Sequence, residues 1–223
     1  EYPSVEEFAE EWSFTMPAKE LVSSLVKVFY ARSDDEARKV LNGVLLSIRS
    51  GMLTIAATDG RRLALIEKVL KEEENEMKES DIILPGKTVS ELIKSLDTTK
   101  DVKISLSASV AVFSTENITI TSKLAEGTYP NYRSVIPDDF AYKAAVSRVM
   151  FADVLNRIAL VLSESSTAIN FDISTAEIKV WGDSAEYGEA SEPVEASYEG
   201  DNIKIAFNPD FFIEPLKHLE ADE

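Results

Sequence analysis

The strongest fold signal in this 223-residue chain is Leu46-Ser-Ile-Arg-Ser-Gly-Met-Leu-Thr-Ile55, in which apolar residues alternate on either side of a turn at Ser50-Gly51. The same pattern returns in Asn170-Phe-Asp-Ile-Ser-Thr-Ala-Glu-Ile-Lys-Val180. Outside it the order of features also recurs, since the dipeptide Tyr2-Pro3 comes back 127 residues later as Tyr129-Pro130. Repetition at a nearly constant offset predicts two homologous domains in tandem.

Within each repeat, strand-like segments of period two alternate with amphipathic helical segments. The second of these helices shows the spacing, because Val89, Leu92 and Leu96 fall at i, i+3 and i+7. Helices are predicted at about 17–32, 86–97, 147–163 and 209–219. Each domain is therefore predicted to be a doubled β-α-β-β-β unit with helices on one face of antiparallel sheets, an α+β architecture. The last copy is shorter by roughly 26 residues, which predicts an incomplete second domain with an unpaired sheet edge.

The composition excludes several kinds of site. Apolar residues make up 44% of the chain, enough for packed cores, and no apolar run approaches the ~18 residues that span a bilayer. With no cysteine and a single histidine, His218, the sequence offers no disulfide, thiolate metal site or histidine relay. It also has no glycine-rich phosphate loop and no hydrolase motif. A carboxylate-based hydrolase has only the 40 acidic residues in its favour, so we predict no enzyme activity and no cofactor.

Charge is distributed unevenly along the chain. The formal net charge of −17 opposes nucleic-acid binding, but local distribution decides what a surface attracts. The predicted helical segments together carry nine Lys or Arg and eight Asp or Glu, a net charge of +1; they are 17–32, 86–100, 147–164 and 209–220. The rest of the chain carries 14 Lys or Arg and 32 Asp or Glu, a net charge of −18. Converging helix faces would form a modestly positive strip; ordinary solvated helix faces are the alternative. Since the sequence has no base-recognition motif, any nucleic-acid contact is expected at phosphates.

The hairpin segment Ala57-Thr-Asp-Gly-Arg-Arg-Leu-Ala64 follows Leu41-Asn-Gly43 and precedes Lys123-Leu-Ala-Glu-Gly-Thr-Tyr-Pro-Asn-Tyr132. A later joint contains Phe207-Asn-Pro-Asp-Phe211. In this order and spacing the chain resembles the bacterial sliding clamp, the beta subunit of DNA polymerase III, over essentially its whole length. The resemblance implies the DNA-clamp fold, with residues 1–12 as a linker from a preceding domain, 13–132 as the middle domain and 133–223 as a C-terminally incomplete third domain.

The resemblance implies a processivity factor of DNA replication, a head-to-tail homodimeric ring in the bacterial cytoplasm that encircles and slides on duplex DNA without sequence preference. In that family the helices line the central hole. The implied DNA-facing residues are Lys19, Lys27, Arg38, Lys39, Lys87, Lys94, Arg148 and Arg157. At the positions of Arg38 and Lys39 the family often has aromatic residues, so this chain departs from it there. Leu160 and Val161 match positions where clamps meet the partner chain, and a plain core role is the alternative for both.

The family also carries a pocket between its second and third domains. It receives short peptides from the polymerase catalytic subunit, the clamp loader, and other polymerases and repair proteins. The matching positions are Leu41, Thr58, Gly60, Arg61, Arg62, Leu63, Pro130, Ser134, Val135, Asn208 and Phe211. Aliphatic members are expected to bury peptide anchors, and arginines to frame the rim. A clamp-fold scaffold that binds peptides without encircling DNA is the alternative function.

Overall fold

The computed structural model describes residues 10–70, 78–164 and 166–223. They form two compact units, hereafter unit 1 and unit 2, which divide between Tyr132 and Arg133. Both units are built from antiparallel strands and helices. The Tyr2-Pro3 dipeptide and residues 1–9 of the predicted linker lie outside the described residues.

Unit 1 contains the β-α-β-β-β order twice. Its elements are β1 (Trp12–Pro17), α1 (Ala18–Phe29), β2 (Val44–Arg49), β3 (Met52–Thr58), β4 (Leu63–Val69), β5 (Ser80–Leu84), α2 (Gly86–Ser95), β6 (Asp101–Leu106), β7 (Val110–Ser114) and β8 (Thr119–Lys123). The strands form two four-stranded sheets, in the orders β1-β6-β7-β8 and β4-β3-β2-β5. The two copies thus exchange their first strands, and the predicted doubled α+β unit is confirmed.

The core of unit 1 lies between its helices and the inner faces of its sheets. Leu21, Leu25 and Val28 of α1 are completely buried, as are Val89 and Leu92 of α2. They join the inward-facing strand residues in one continuous cluster. Each fully buried aliphatic side chain of this kind contributes about 1.5–3 kcal/mol relative to an exposed one. The apolar stripes of α1 and α2 therefore fix both helices to the same side of the sheets.

Two glycines bring the loop before β2 directly against the joint between β5 and α2. A Cβ on Gly43 would lie 2.7 Å from Leu84 O, and a Cβ on Gly86 would lie 2.7 Å from Asn42 O. Asn42 is itself held in place, because its Nδ2 donates to Ser33 O at 2.8 Å. The Leu-Asn-Gly motif of the sequence is therefore a site of backbone-to-backbone contact, where no side chain fits.

Unit 2 contains one β-α-β-β-β copy followed by a strand and a helix. Its elements are β9 (Ala144–Val146), α3 (Arg148–Ala159), β10 (Ile169–Ile173), β11 (Glu177–Ser184), β12 (Gly188–Tyr198), β13 (Ile203–Phe207) and α4 (Asp210–His218). They form one five-stranded sheet in the order β13-β10-β11-β12-β9. In the described part of unit 2 no strand takes the place that β6 has in unit 1, and β9 pairs with the end of β12 instead. Phe151, Leu155 and Ile158 of α3 pack over this sheet with Ile213 of α4.

The two units repeat each other down to single hydrogen bonds. In unit 1 the amide of Ala18, which begins α1, donates to Lys100 O at 3.0 Å. In unit 2 the amide of Arg148, which begins α3, donates to Asp222 O at 2.9 Å. Each acceptor lies just after the second helix of its unit. The repeated sequence is thus a repeated structure.

The helices are shorter than their sequence patterns predict. The helix α1 ends at Phe29 and α3 ends at Ala159. Tighter i→i+3 bonds follow in both cases, with the amide of Arg32 donating to Phe29 O at 3.4 Å and that of Leu162 to Ala159 O at 3.2 Å. Such turns prolong an apolar stripe without α-helical geometry. Of the helices in the described ranges, none is long and apolar enough to cross a membrane.

Candidate functional site

The hairpin loop between β3 and β4 is held together by its own polar groups. The two strands pair antiparallel, so the hairpin that the sequence indicates at Ala57-Thr-Asp-Gly-Arg-Arg-Leu-Ala64 is confirmed. Thr58 Oγ1 donates to Arg62 O at 2.6 Å and accepts from Gly60 N at 3.0 Å. Asp59 Oδ1 accepts from the amides of Arg61 at 2.8 Å and Arg62 at 3.1 Å. Gly60 adopts a φ of +90°, which side chains rarely allow.

The two arginines of this loop have different environments. Arg62 folds back over the loop, where its Nε donates to Asp59 Oδ2 at 3.0 Å and its side chain is only 20% exposed. Its guanidinium carbon lies 5.6 Å from the centre of the Tyr30 ring, within reach of a cation–π contact. A second cation, Arg38, donates to Asp59 O at 3.2 Å. Arg61 is exposed, so it is the loop's solvent-facing cation.

A second apolar cluster lies on the face of the β4-β3-β2-β5 sheet that points away from the helices, because its residues alternate with those of the main core. Its buried centre consists of Leu45, Ala56 and Ile83, and Leu45 stands directly opposite both of the others in the strand register. The partly buried members are Val40, Leu63, Leu65, Ala125, Tyr129 and Tyr132. We call this set the outer-face cluster. It places Leu63, a predicted pocket residue, at the margin of a preformed apolar floor.

Tyr129 fastens the segment that follows β8 to the hairpin loop. Its ring packs in the outer-face cluster, and its hydroxyl accepts a hydrogen bond from Thr58 N at 3.0 Å. Burial raises the pKa of Tyr129 to about 12, so the phenol keeps its proton at neutral pH. The next residue, Pro130, is exposed and belongs to the predicted pocket. Tyr129 is missing from the predicted site, although its position beside Pro130 in a segment that carried the resemblance was a usable signal.

Leu41 takes part in the loop before β2 without joining the outer-face cluster. Its side chain is half-buried, and its carbonyl accepts from Ser33 N at 2.8 Å. The preceding residue, Val40, packs against the cluster. Within unit 1 the structure therefore brings the loop from Thr58 to Leu63 close to Pro130, because the neighbouring Tyr129 is bonded to that loop. Leu41 lies one residue from Val40, a member of the outer-face cluster.

The predicted pocket residues of unit 2 lie in two places. Ser134 and Val135 belong to a 3-10 turn, Tyr132–Val135, and the side chain of Val135 is 70% exposed. Asn208 and Phe211 flank the start of α4, where Asn208 Oδ1 accepts from Asp210 N at 2.9 Å. Phe211 is half-buried.

The predicted ring-interface residues follow directly on α3. Leu160 is 76% exposed, which excludes a core role for it in unit 2. Val161 is half-buried and packs toward Gly182, where a Cβ would lie 3.8 Å from Val161 Cγ2.

The helices are the less acidic part of the chain. Together α1 to α4 carry seven Lys or Arg and five Asp or Glu, a net charge of +2, whereas the other residues carry 16 and 35, a net of −19. Lys19 and Lys87 are exposed, and the described part of the chain holds no carboxylate within ion-pair distance of either. Lys27 is half-buried and Lys39 is exposed. Lys94 lies 3.9 Å from Glu91.

Two of the predicted DNA-facing arginines are engaged within unit 2. Arg157 makes a two-pronged ion pair with Glu192, with Nε and Nη2 at 2.8 and 2.7 Å from the carboxylate oxygens. These bonds hold the pKa of Glu192 below its usual range. Arg148 donates from Nε to Ala221 O at 2.8 Å and from Nη1 to Leu216 O at 3.4 Å. The charge of Arg157 is thus partly neutralised, and the guanidinium of Arg148 is held by main-chain oxygens.

Matches to known families follow the two units. The family model for the DNA polymerase III beta subunit, central domain, covers residues 15–131, and that for its C-terminal domain covers residues 133–223. This chain belongs to the DNA polymerase III beta-subunit family. Beta sliding clamps from Chlamydia pneumoniae and Staphylococcus epidermidis are each 31% identical to it, over 222 and 226 residues. Both matches take in 100% of this chain and 60% and 59% of those relatives, so the chain spans about 60% of their length.

Solved structures of sliding clamps share the fold. The DNA polymerase III beta subunit of Pseudomonas aeruginosa superposes with a TM-score of 0.93 at 27% identity, over 99% of this chain and 60% of its own. That of Thermotoga maritima gives 0.91 at 30% identity, over 100% of this chain and 60% of its own. A third structure, a Pseudomonas aeruginosa sliding clamp bound to griselimycin, gives 0.91 at 28% identity and covers 99% of this chain and 60% of its own. The predicted clamp fold and the resemblance to this family are confirmed.

Proposed function

We propose that this chain supplies two domains of a ring-shaped sliding clamp, which encircles duplex DNA and tethers the replicative polymerase. The proposal rests on the uneven distribution of charge in this chain, a member of the DNA polymerase III beta-subunit family. The helices carry a net charge of +2, and the other residues carry a net charge of −19. Mildly cationic helices attract phosphates, and an acidic remainder keeps that attraction weak. Phosphate contacts carry no sequence information, which sliding requires.

In this proposal the clamp works by topology and docking, without catalysis. A head-to-tail homodimer forms the ring, a clamp loader closes it around DNA, and it acts in the bacterial cytoplasm on the nucleoid. The membership of the family and the naming of its curated relatives as beta sliding clamps support this role.

The exposed lysines of unit 1 are the strongest candidates for DNA contact. Lys19 on α1 and Lys87 on α2 are exposed, so both ammonium groups are available to phosphate. Arg157 would first have to give up the Glu192 carboxylate, and Arg148 would have to release Ala221 O and Leu216 O. Of the predicted residues on the helices, we therefore assign the main contacts to these two lysines, because Lys27 is half-buried and Lys94 lies 3.9 Å from Glu91.

The hairpin loop and the outer-face cluster form the unit 1 part of the proposed docking site. Leu63 and the cluster offer apolar area to an aliphatic or aromatic peptide anchor, while Arg61 offers an exposed charge at the rim. The Pseudomonas aeruginosa clamp bound to griselimycin supports ligand binding by members of this family.

Retention on plasmids of different topology tests the DNA role. The protein encoded by the full reading frame that contains this chain would be loaded onto nicked circular plasmid by a clamp loader and separated by gel filtration. We expect retention on the circle and escape after linearisation, because a ring slides off a free end. Equal retention on both forms would argue against encirclement. The scaffold alternative, which the engagement of Arg148 and Arg157 favours, predicts retention on neither form.

Peptide binding tests the docking role separately. We expect a fluorescein-labelled peptide copied from the C-terminal tail of a bacterial DNA polymerase III catalytic subunit to bind, and Leu63→Asp to abolish binding, since it places a charge at an apolar margin. Val69→Asp is the matched control, because Val69 lies on the same strand and is 78% exposed. Unchanged binding by Leu63→Asp, with wild-type folding in thermal melts, would contradict the docking role.

A further inference from the structure

We propose that Tyr129 is a positioning residue for partner docking, whose hydroxyl holds the main chain of Thr58 and thereby the hairpin loop in its docking geometry. The inference rests on the proposed docking function and goes beyond it, because it gives a role to a residue outside the predicted pocket. It also names the atom through which that role is exerted, the amide nitrogen of Thr58.

Thr58 shares with Asp59 the hydrogen bonds that hold the loop together. Its hydroxyl bridges the two sides of the loop, donating to Arg62 O at 2.6 Å and accepting from Gly60 N at 3.0 Å. Its amide is the donor to Tyr129. A hydrogen bond that fixes the main chain of Thr58 therefore also fixes the position of its hydroxyl, which makes both bridging bonds. Movement at this one amide is transmitted to Gly60 and Arg62, which the resemblance places in the pocket.

The strand register explains why this amide needs an acceptor from outside the sheet. The pairing of β3 with β2 ends at Ala56, which stands opposite Leu45, while β3 itself continues to Thr58. Thr58 thus extends beyond the paired part of β2 and is nearly buried. A buried amide without an acceptor is costly. The Tyr129 hydroxyl supplies that acceptor from the segment after β8.

A phenylalanine would fill the same apolar space, so the hydroxyl has a separable role. The Tyr129 ring packs in the outer-face cluster, which any aromatic side chain of that size does equally well. Only the oxygen reaches the Thr58 amide. A loop that is fixed before the peptide arrives has less ordering to lose on binding, which raises affinity without adding a contact. Tyr129 therefore affects docking without being required to touch the peptide.

The experiment compares the wild-type chain with Tyr129→Phe, Thr58→Val and the double variant. The probes are the labelled polymerase-tail peptide and griselimycin. We expect Tyr129→Phe to bind the peptide about fivefold more weakly, the scale of one net hydrogen bond. We also expect the variant that carries both changes to bind the peptide with the same affinity as whichever single variant has the lower affinity. The losses should not add, because both changes release the same loop.

Amide hydrogen exchange separates positioning from a general loss of stability. In Tyr129→Phe we expect faster exchange at Thr58 and Gly60 and unchanged exchange in β6 and β7. Tyr142→Phe is the matched control, since it removes a tyrosine hydroxyl of unit 2 that donates to Asp201 Oδ2 at 2.9 Å, and it should leave the Thr58 amide at its wild-type rate. Faster exchange throughout unit 1 would overturn the proposal in favour of a purely structural role.

The binding results distinguish a failure of the role of Tyr129 from a failure of the docking function. Binding of both probes by the wild type, with equal binding by Tyr129→Phe, would overturn the role of Tyr129 alone. Strictly additive losses in the double variant would do the same, because the hydroxyl would then act elsewhere than through Thr58. If the wild type bound neither probe, the docking function would fall and the role of Tyr129 with it.

Discussion

Replacing Gly43 by alanine perturbs the backbone contact that fixes the loop before β2. The new Cβ would lie 2.7 Å from Leu84 O and 2.7 Å from Ile83 Cγ2, closer than Cβ atoms approach other atoms in real structures. The Ile83 side chain can rotate, but Leu84 O belongs to strand backbone that pairs with Val44. Relief therefore requires the strand or the loop to move. Overpacking of this kind costs about 1–3 kcal/mol, a large share of the ~5–15 kcal/mol that stabilises a domain.

Urea unfolding and thermal melts of the 223-residue chain measure this cost. A loss of about 2 kcal/mol should lower the Tm of unit 1 by roughly 6–10 °C. Gly182→Ala is the matched control, because its Cβ would meet the flexible end of Leu162 at 3.0 Å, and it should cost less than about 1 kcal/mol. An unfolding free energy for Gly43→Ala within about 0.5 kcal/mol of wild type, the usual range for harmless surface changes, would refute a rigid contact. Because Ile83 belongs to the outer-face cluster, the same variant should also weaken peptide docking.

The other predictions concern charges and caps. Arg148→Gln should lower the unfolding free energy of unit 2 by about 1–2 kcal/mol and its urea midpoint with it, because it removes two bonds to main-chain oxygens. Replacement of a purely DNA-facing arginine would leave the midpoint unchanged. Ser147→Ala should cost about 1 kcal/mol in the same assay, since Ser147 Oγ accepts from the Met150 amide at the start of α3. Arg157 lowers the pKa of Glu192 from its ordinary 4.5, so the stability that the pair contributes is present above pH 4.5 and lost as the pH falls through the lowered pKa. Glu192→Gln should flatten the acid side of the stability profile in melts, and an unchanged profile would exclude the pair as a stabilising contact. In the full-length protein, Lys87→Gln should reduce the salt dependence of DNA binding by roughly one unit of slope, and Arg157→Gln by less; equal reductions would contradict the assignment to Lys87.

The fold could be predicted because its signals are local and repeated. Period-two strands such as 44–49 and 52–58 and the Asp59-Gly60 turn depend on neighbouring residues only, and the structure shows all of them. The repeat then assembles these segments into a doubled unit. Helix ends were less predictable, because the residues after Phe29 and Ala159 continue the apolar spacing while adopting i→i+3 turns.

The environment of the candidate site was harder to predict, because it depends on partners that are distant in sequence. A charge pattern marks Arg157 as a helix-face cation but carries no sign of Glu192, 35 residues on, which neutralises it. Likewise, the Thr58 amide and the Tyr129 hydroxyl are 71 residues apart. The pocket and DNA-facing assignments stay predictions. The structure defines the geometry of the loop from Thr58 to Leu63, to which five of the predicted pocket residues belong.

The exchange of first strands between the two copies of unit 1 constrains how that unit folds as it is synthesised. Phe14 of β1 pairs with Ile104 of β6, so the first sheet cannot close until most of the unit has left the ribosome. Contacts between such distant segments slow folding, and the apolar face of β1 stays uncovered in the meantime. A break between the copies would leave two fragments that each lack a strand, so we expect neither half to fold alone and both to recover structure when mixed.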